Sequence, residues 1–141
     1  GEYERAFKRL TNFDMPEAMV TYALTGAFPK HKEIIDSQAY QLNGKTTIRL
    51  QINVRPGVVA DEIGFDEIQT FPEVEYIAFY HKPGSKIQAT GNTHQRYAHI
   101  VVVADNSYLL RNAVEAIYKK IKVLDPDGNN MIISLFDPSL I

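Results

Sequence analysis

The sequence contains no cysteine, which excludes a disulfide framework and a thiolate zinc site. It has no basic excess either: the formal net charge is −2 and the pI is about 6.1. Phosphate contacts dominate nucleic-acid affinity, so a domain that binds nucleic acid normally carries a basic surplus. No apolar run approaches the ~18 residues needed to cross a bilayer, and no signal-peptide pattern precedes Glu2. These absences lead us to expect a cytoplasmic protein with neither nucleic-acid nor membrane partners. Catalytic signatures are missing as well. There is no Gly-rich phosphate loop, no His-Glu-x-x-His and no Gly-x-Ser-x-Gly elbow. The four histidines, His31, His81, His94 and His99, share no metal-ligand spacing.

What the chain does have is an ordinary globular composition, 45% hydrophobic and 23% charged over 141 residues, enough to bury a real core. Asp14-Met15-Pro16-Glu17 signals a helix start, with Asp as N-cap, Glu three residues on and Pro in the first turn. Met15, Ala18, Met19 and Tyr22 then form an apolar stripe at helical spacing, and Gly26 suits the C′ position. A short helix over residues 4–10 precedes it. After a turn at Leu42-Asn43-Gly44-Lys45 the period changes to two, with Ile48, Leu50, Ile52 and Val54 alternating with polar residues.

Beyond Pro56-Gly57 the pattern gives a short strand over 58–63, a brief helix over 65–70 and a strand over 74–80. A polar loop over 85–95 leads to an almost continuously apolar strand over 97–104. Asp105-Asn106-Ser107 caps a helix whose apolar face is Leu110, Ala113, Val114, Ile117 and Ile121. Two short strands around Asp125-Pro126-Asp127-Gly128-Asn129-Asn130 close the chain. That loop looks like a calcium loop but lacks the completing Glu, so it reads as a turn. From Val58 onward the order is strand, helix, strand, strand, helix, strand. The expected class is α+β: a ferredoxin-like split βαβ antiparallel sheet with helices on one face, preceded by a short helical segment. The strand over 46–54 is expected to join at an edge.

The loop between Lys82 and Arg96 is the best functional candidate. It holds Lys82, Lys86, Asn92, Thr93, His94 and Arg96, with Gly84 and Gly91 allowing close backbone approach. An anion contact, a contact with another domain and a plain strand connection all remain open for it. His99, in an apolar strand, reads as a hydrogen-bonded, half-buried imidazole. The carboxylate pairs Asp61-Glu62 and Asp66-Glu67 read as solvated positions.

The stretches Pro56-Gly57-Val58, Gly64-Phe65-Asp66-Glu67-Ile68, Phe71-Pro72-Glu73-Val74 and Lys82-Pro83-Gly84 resemble the carboxyl-terminal domain of L-amino-acid ligases in the ATP-grasp superfamily. The resemblance continues through Thr90-Gly91-Asn92, Arg96-Tyr97-Ala98-His99 and Ala104-Asp105-Asn106, and through Ala113 and Ala116 of the helix that follows. The carboxyl-terminal domain of biotin carboxylase has a related course. Upstream, Leu10-Thr11-Asn12-Phe13-Asp14 and Ala23-Leu24-Thr25-Gly26 are similar to the helix after the metal-binding strand in these ligases.

The resemblance implies a parent enzyme in which ATP phosphorylates a carboxylate and an amine attacks the acyl phosphate. It implies ATP and magnesium for the full-length protein and no cofactor in this part. No Glu-x-Asn pair of the magnesium-binding kind occurs in the chain, and Gly1 stands where an initiator Met is expected. On this reading residues 1–38 are a helical segment following an absent ATP-grasp core, and residues 39–141 are the α+β domain. The partner is that core, with a homodimer as a further arrangement. The substrate-side candidates are His94, Arg96, Lys82 and Asn92, with Arg5 and Arg9 as a second set and no catalytic or metal-binding residue. The competing expectation is a stand-alone ferredoxin-like module that binds a small regulatory ligand.

Overall fold

The computed structural model describes residues 2–28, 44–89 and 93–141. Asn92 and His31 lie outside the described residues, as do Leu42 and Asn43 of the expected turn. Two helices open the chain, α1 (Glu2–Thr11) and α2 (Met15–Thr25). The Asp14 side chain accepts from the Glu17 amide at 3.0 Å, satisfying one of the N–H groups that a helix start leaves unpaired. Gly26 ends α2 in the left-handed conformation, and its amide bonds the Tyr22 carbonyl. Of the expected apolar stripe on α2 only Ala18 is buried; Met15, Met19 and Tyr22 are exposed.

The central sheet has four antiparallel strands: β1 (Thr46–Val54), β4 (Val74–Phe79), β6 (Arg96–Ala104) and β8 (Ile132–Ile133), in the order β4-β6-β1-β8. In sequence rank this is second, third, first, fourth, the split βαβ arrangement. The class is as expected, but the first strand of the split is β1, inside the sheet and not at an edge. The reason is local. Pro56-Gly57 ends the long strand, and at Val59-Ala60 the stretch that follows changes partners, the Val59 amide donating to the Ser85 carbonyl and the Ala60 amide to the Leu124 carbonyl. It divides into β2 (Gly57–Val58) and β3 (Asp61–Ile63). β2 pairs with β5 (Lys86–Ile87), a strand within the expected 85–95 loop, and β3 pairs with β7 (Lys122–Leu124). Eight of the nine residues of β1, from Thr46 to Asn53, pair with β6.

The side chains of β6 alternate between two cores. Ile100, Val102 and Ala104 pack with Leu50, Ile52 and Val54 of β1 against α4 (Ser107–Lys120), through Leu110, Ala113, Val114 and Ile117. The short α3 (Phe65–Ile68) joins that core through Phe65 and Ile68. On the other face Val101 and Val103 pack with Ala6 and Leu10 of α1 and with Tyr76 of β4. The first helix therefore covers part of the second face. Among the described residues no helix is long and apolar enough to cross a membrane.

The 125–130 loop is closed by its own carboxylate. Asp125 Oδ1 accepts from the amides of Asp127 at 3.0 Å and Asn129 at 2.8 Å, and Arg55 ion-pairs with Oδ2. The Asn129 amide, more than the Arg55 guanidinium, holds the Asp125 carboxyl below its ordinary range, against the opposing effect of burial. A depressed folded value means that Asp125 stabilises the fold above its unfolded pKa of about 3.9, and this is lost as pH falls through the folded value. Asp125→Asn is therefore expected to lower the melting temperature at pH 7. The gap from wild type should narrow on acidification below about pH 4. Thermal scans across pH 2–7 check this; a gap independent of pH would assign the effect to packing.

Candidate functional site

The second face of the sheet is where charged and aromatic side chains converge. Arg49 is the one charged residue of β1, and His99 the one ionisable residue between Tyr97 and Ala104 of β6. Cα pairing sets Arg49 opposite Val101 and Gln51 opposite His99, so Arg49 reaches His99 along the diagonal. Ala78 of β4 flanks His99 on the other side, and Tyr80 follows that strand, its amide bonded to the Tyr97 carbonyl.

Arg49 Nη2 lies 3.1 Å from His99 Nδ1, and the Tyr80 hydroxyl lies 2.8 Å from the same nitrogen. Arg49 Nη1 donates to the Tyr3 hydroxyl of α1 at 2.8 Å. A guanidinium only donates, so Nδ1 must be an acceptor, and a neutral His99 then carries its proton on Nε2. His99 is 1% exposed, more deeply buried than the half-buried ring expected, and hydrogen-bonded as expected.

Three arginines lie over three tyrosine rings, each guanidinium carbon 5.5 Å from a ring centroid: Arg5 over Tyr76, Arg49 over Tyr3 and Arg96 over Tyr80. Such stacking leaves the charge in place and orients the guanidinium plane. Arg96 Nε is buried and has no hydrogen-bond partner among the described residues. Arg49 and Arg96 thus meet at one side chain, Tyr80, and bring two positive charges to one end of the face.

The structure brings some of the sequence candidates to this face and gives others different tasks. Arg96 and Arg5 join it. His94 is exposed, and its carbonyl accepts from His81 Nε2 at 2.9 Å, which ties the loop before β6 to the residues after β4. Lys82 is exposed in the turn at that same end, its amide donating to Ser85 Oγ at 3.1 Å. Arg9 instead pairs with Glu75 at 3.0 Å and donates to the Pro72 carbonyl, anchoring α1 to the sheet. Arg49, Tyr3 and Tyr80 were absent from the candidates. A lone arginine in an otherwise uncharged strand was the available signal. Among the described residues no group of three His, Cys, Asp or Glu is placed to hold a metal ion.

The family model for L-amino acid ligase C-terminal domain 2 matches residues 51–124. The chain belongs to that family. No curated protein matches it. Among solved structures, an L-amino acid ligase from Bacillus licheniformis superposes with a TM-score of 0.64 at 14% identity, over 84% of this chain. That likeness shows the shared fold, and the chain spans 29% of the length of that ligase. Within the ligase domain, the matched residues take in Tyr80, Lys82, His94, Arg96 and His99. Arg49 and the whole of α1 precede them.

Proposed function

We propose that this chain serves as the carboxyl-terminal, non-catalytic part of an ATP-dependent carboxylate–amine ligase. It packs on an ATP-grasp core and presents the Arg96–Tyr80 end of its second sheet face to the substrate side of the active site. The observation that carries this reading is the guanidinium of Arg96, stacked on Tyr80 with a buried, unpartnered Nε, in a domain of the L-amino acid ligase family. An oriented guanidinium with no acidic partner among the described residues suits the anionic groups such chemistry handles, a carboxylate and the phosphoryl group transferred to it. ATP and magnesium would be held by the core. In this reading the domain's own residues bind and orient, and no proton or phosphoryl transfer is assigned to them.

In the full-length ligase, Arg96→Ala is expected to lower kcat/KM for the acid substrate by roughly 10- to 100-fold, as removal of a charged hydrogen bond does. The melting temperature should stay close to wild type, since Arg96 stacks at the rim of the sheet. Unchanged kinetics in a folded variant would remove Arg96 from the substrate side.

A further inference from the structure

Only one edge of β1 is fully paired. In an antiparallel ladder each residue sends its N–H and C=O to one side, and successive residues alternate sides. The Val103 amide donates to the Glu73 carbonyl and the Tyr80 amide to the Tyr97 carbonyl, so the odd-numbered residues of β6 serve β4 and the even-numbered ones serve β1. Their register partners Ile48, Leu50 and Ile52 therefore bond β6, while Thr47, Arg49 and Gln51 turn their backbone groups to the opposite edge. On that edge β8 takes Asn53, and the Arg55 amide donates to the Met131 carbonyl at 2.9 Å. The ladder then stops. Ser134, left-handed at φ +55°, turns the chain away before it reaches Gln51. A groove of about 460 Å³ opens there, between Ile48, Leu50 and Gln51 on one side and Ser134, Leu135 and Phe136 on the other. Thr47 and Gln51 are exposed, and among the described residues nothing pairs with their amides or carbonyls.

Given the ligase reading above, on which this rests, we propose that the open edge receives one extended segment from the rest of the ligase. That segment continues the central sheet beside β1 where β8 leaves off. Alternating donors and acceptors along a strand edge are met in series by another strand. The side chains of the incoming segment alternate as well. Those level with Ile48 and Leu50 fall on the α4 side, where Ile48, Ile132 and Ile141 make the rim of the core apolar, and are hydrocarbon. Those level with the exposed Thr47 and Gln51 are polar. A second copy of the chain fits less well. The two-fold pairing that uses all three outward residues sets Arg49 directly opposite its copy, and like charges so placed are destabilising. The ligase itself has chain to supply, since in the Bacillus licheniformis enzyme most of the polypeptide lies outside the shared fold.

Hydrogen exchange, resolved to single residues by mass spectrometry, compares the 141-residue chain with the full-length protein. In the 141-residue chain the amides of Thr47 and Gln51 should exchange fast, and those of Ile48 and Leu50, bonded to β6, slowly. In the full-length protein Thr47 and Gln51 should slow by about 100-fold or more. Gln51→Pro removes one outward N–H at an edge, where proline is tolerated. In the full-length protein it should speed Thr47 exchange at least ~10-fold while Ile48 and Leu50 stay slow. Unchanged Thr47 exchange in that variant would assign the protection to burial and overturn the pairing. Slow exchange at Thr47 and Gln51 in the 141-residue chain would overturn the open edge. Fast exchange at both in a full-length protein whose Arg96→Ala variant loses activity would overturn the strand addition and leave the ligase reading intact.

Discussion

Gly64→Ala is expected to destabilise the fold by about 2–5 kcal/mol, combining left-handed backbone strain with overpacking. Gly64 precedes α3 at φ +83°, a conformation that side chains with a Cβ rarely adopt. A Cβ there would sit 2.3 Å from the Lys120 carbonyl oxygen and 2.7 Å from its carbon. Both are backbone atoms at the end of α4, so no rotamer change relieves the contact. The whole junction between α3 and α4 must open. Gly84→Ala separates the two contributions. Gly84 has φ +90° and open space around it, so only the strain remains, about 1–2 kcal/mol. Urea titration of both variants checks the difference. Equal losses would mean that the approach of α4 to Gly64 carries no cost.

Phe65→Ala should cost about 3–5 kcal/mol, the usual range for removing a buried phenyl ring from a packed core. Phe65 is 3% exposed and meets Phe79 at 5.2 Å and Tyr97 at 5.9 Å between ring centroids. Tyr97 is itself fully buried and donates to Glu62, and its hydroxyl is pushed well above its ordinary pKa, by burial first and by the Glu62 carboxylate second. The cavity left by Phe65 would open beside this bond. The surroundings are two strands and a helix, which collapse poorly, so the loss should fall in the upper half of the range. A loss under about 1 kcal/mol would show that α3 moves to refill the space.

The elements with strong periodicity were legible in the sequence. The face of α4 from Leu110 to Ile121 and the doubly buried β6 both follow from side-chain spacing alone, because each repeats its pattern over two turns or more. Strand order was less legible. Which strand of a split pair lies inside the sheet depends on the partner that covers its far edge, and here a two-residue strand at Ile132–Ile133 does so. A segment that short carries no periodicity. The stripe on α2 has the right spacing, yet Met15, Met19 and Tyr22 are exposed and only Ala18 is buried, since spacing records what a helix could bury and not what lies against it.

The site was read in part for a related reason. Arg96, His94 and Lys82 stood out because they share a loop with glycines. Arg49 and Tyr3 come from elements 46 residues apart and meet only when α1 crosses the sheet. The apolar strand around His99 implies a hydrogen-bonded, half-buried ring; the ring is hydrogen-bonded and fully buried. Its partners decide what it does, and those include Arg49 on β1 and Tyr80 just past β4, with Tyr3 of α1 in turn bonded to Arg49.

The most direct measurement of the proposed substrate-side role is arginine modification of the full-length protein by phenylglyoxal, read residue by residue by mass spectrometry. If the Arg96–Tyr80 end of the sheet faces the substrate, saturating amino acid with a non-hydrolysable ATP analogue should slow labelling of Arg96 by roughly tenfold. Arg111, on α4 and bonded to the Ile141 carbonyl, should be unaffected. Labelling of Arg96 at the same rate with and without substrates would contradict the account.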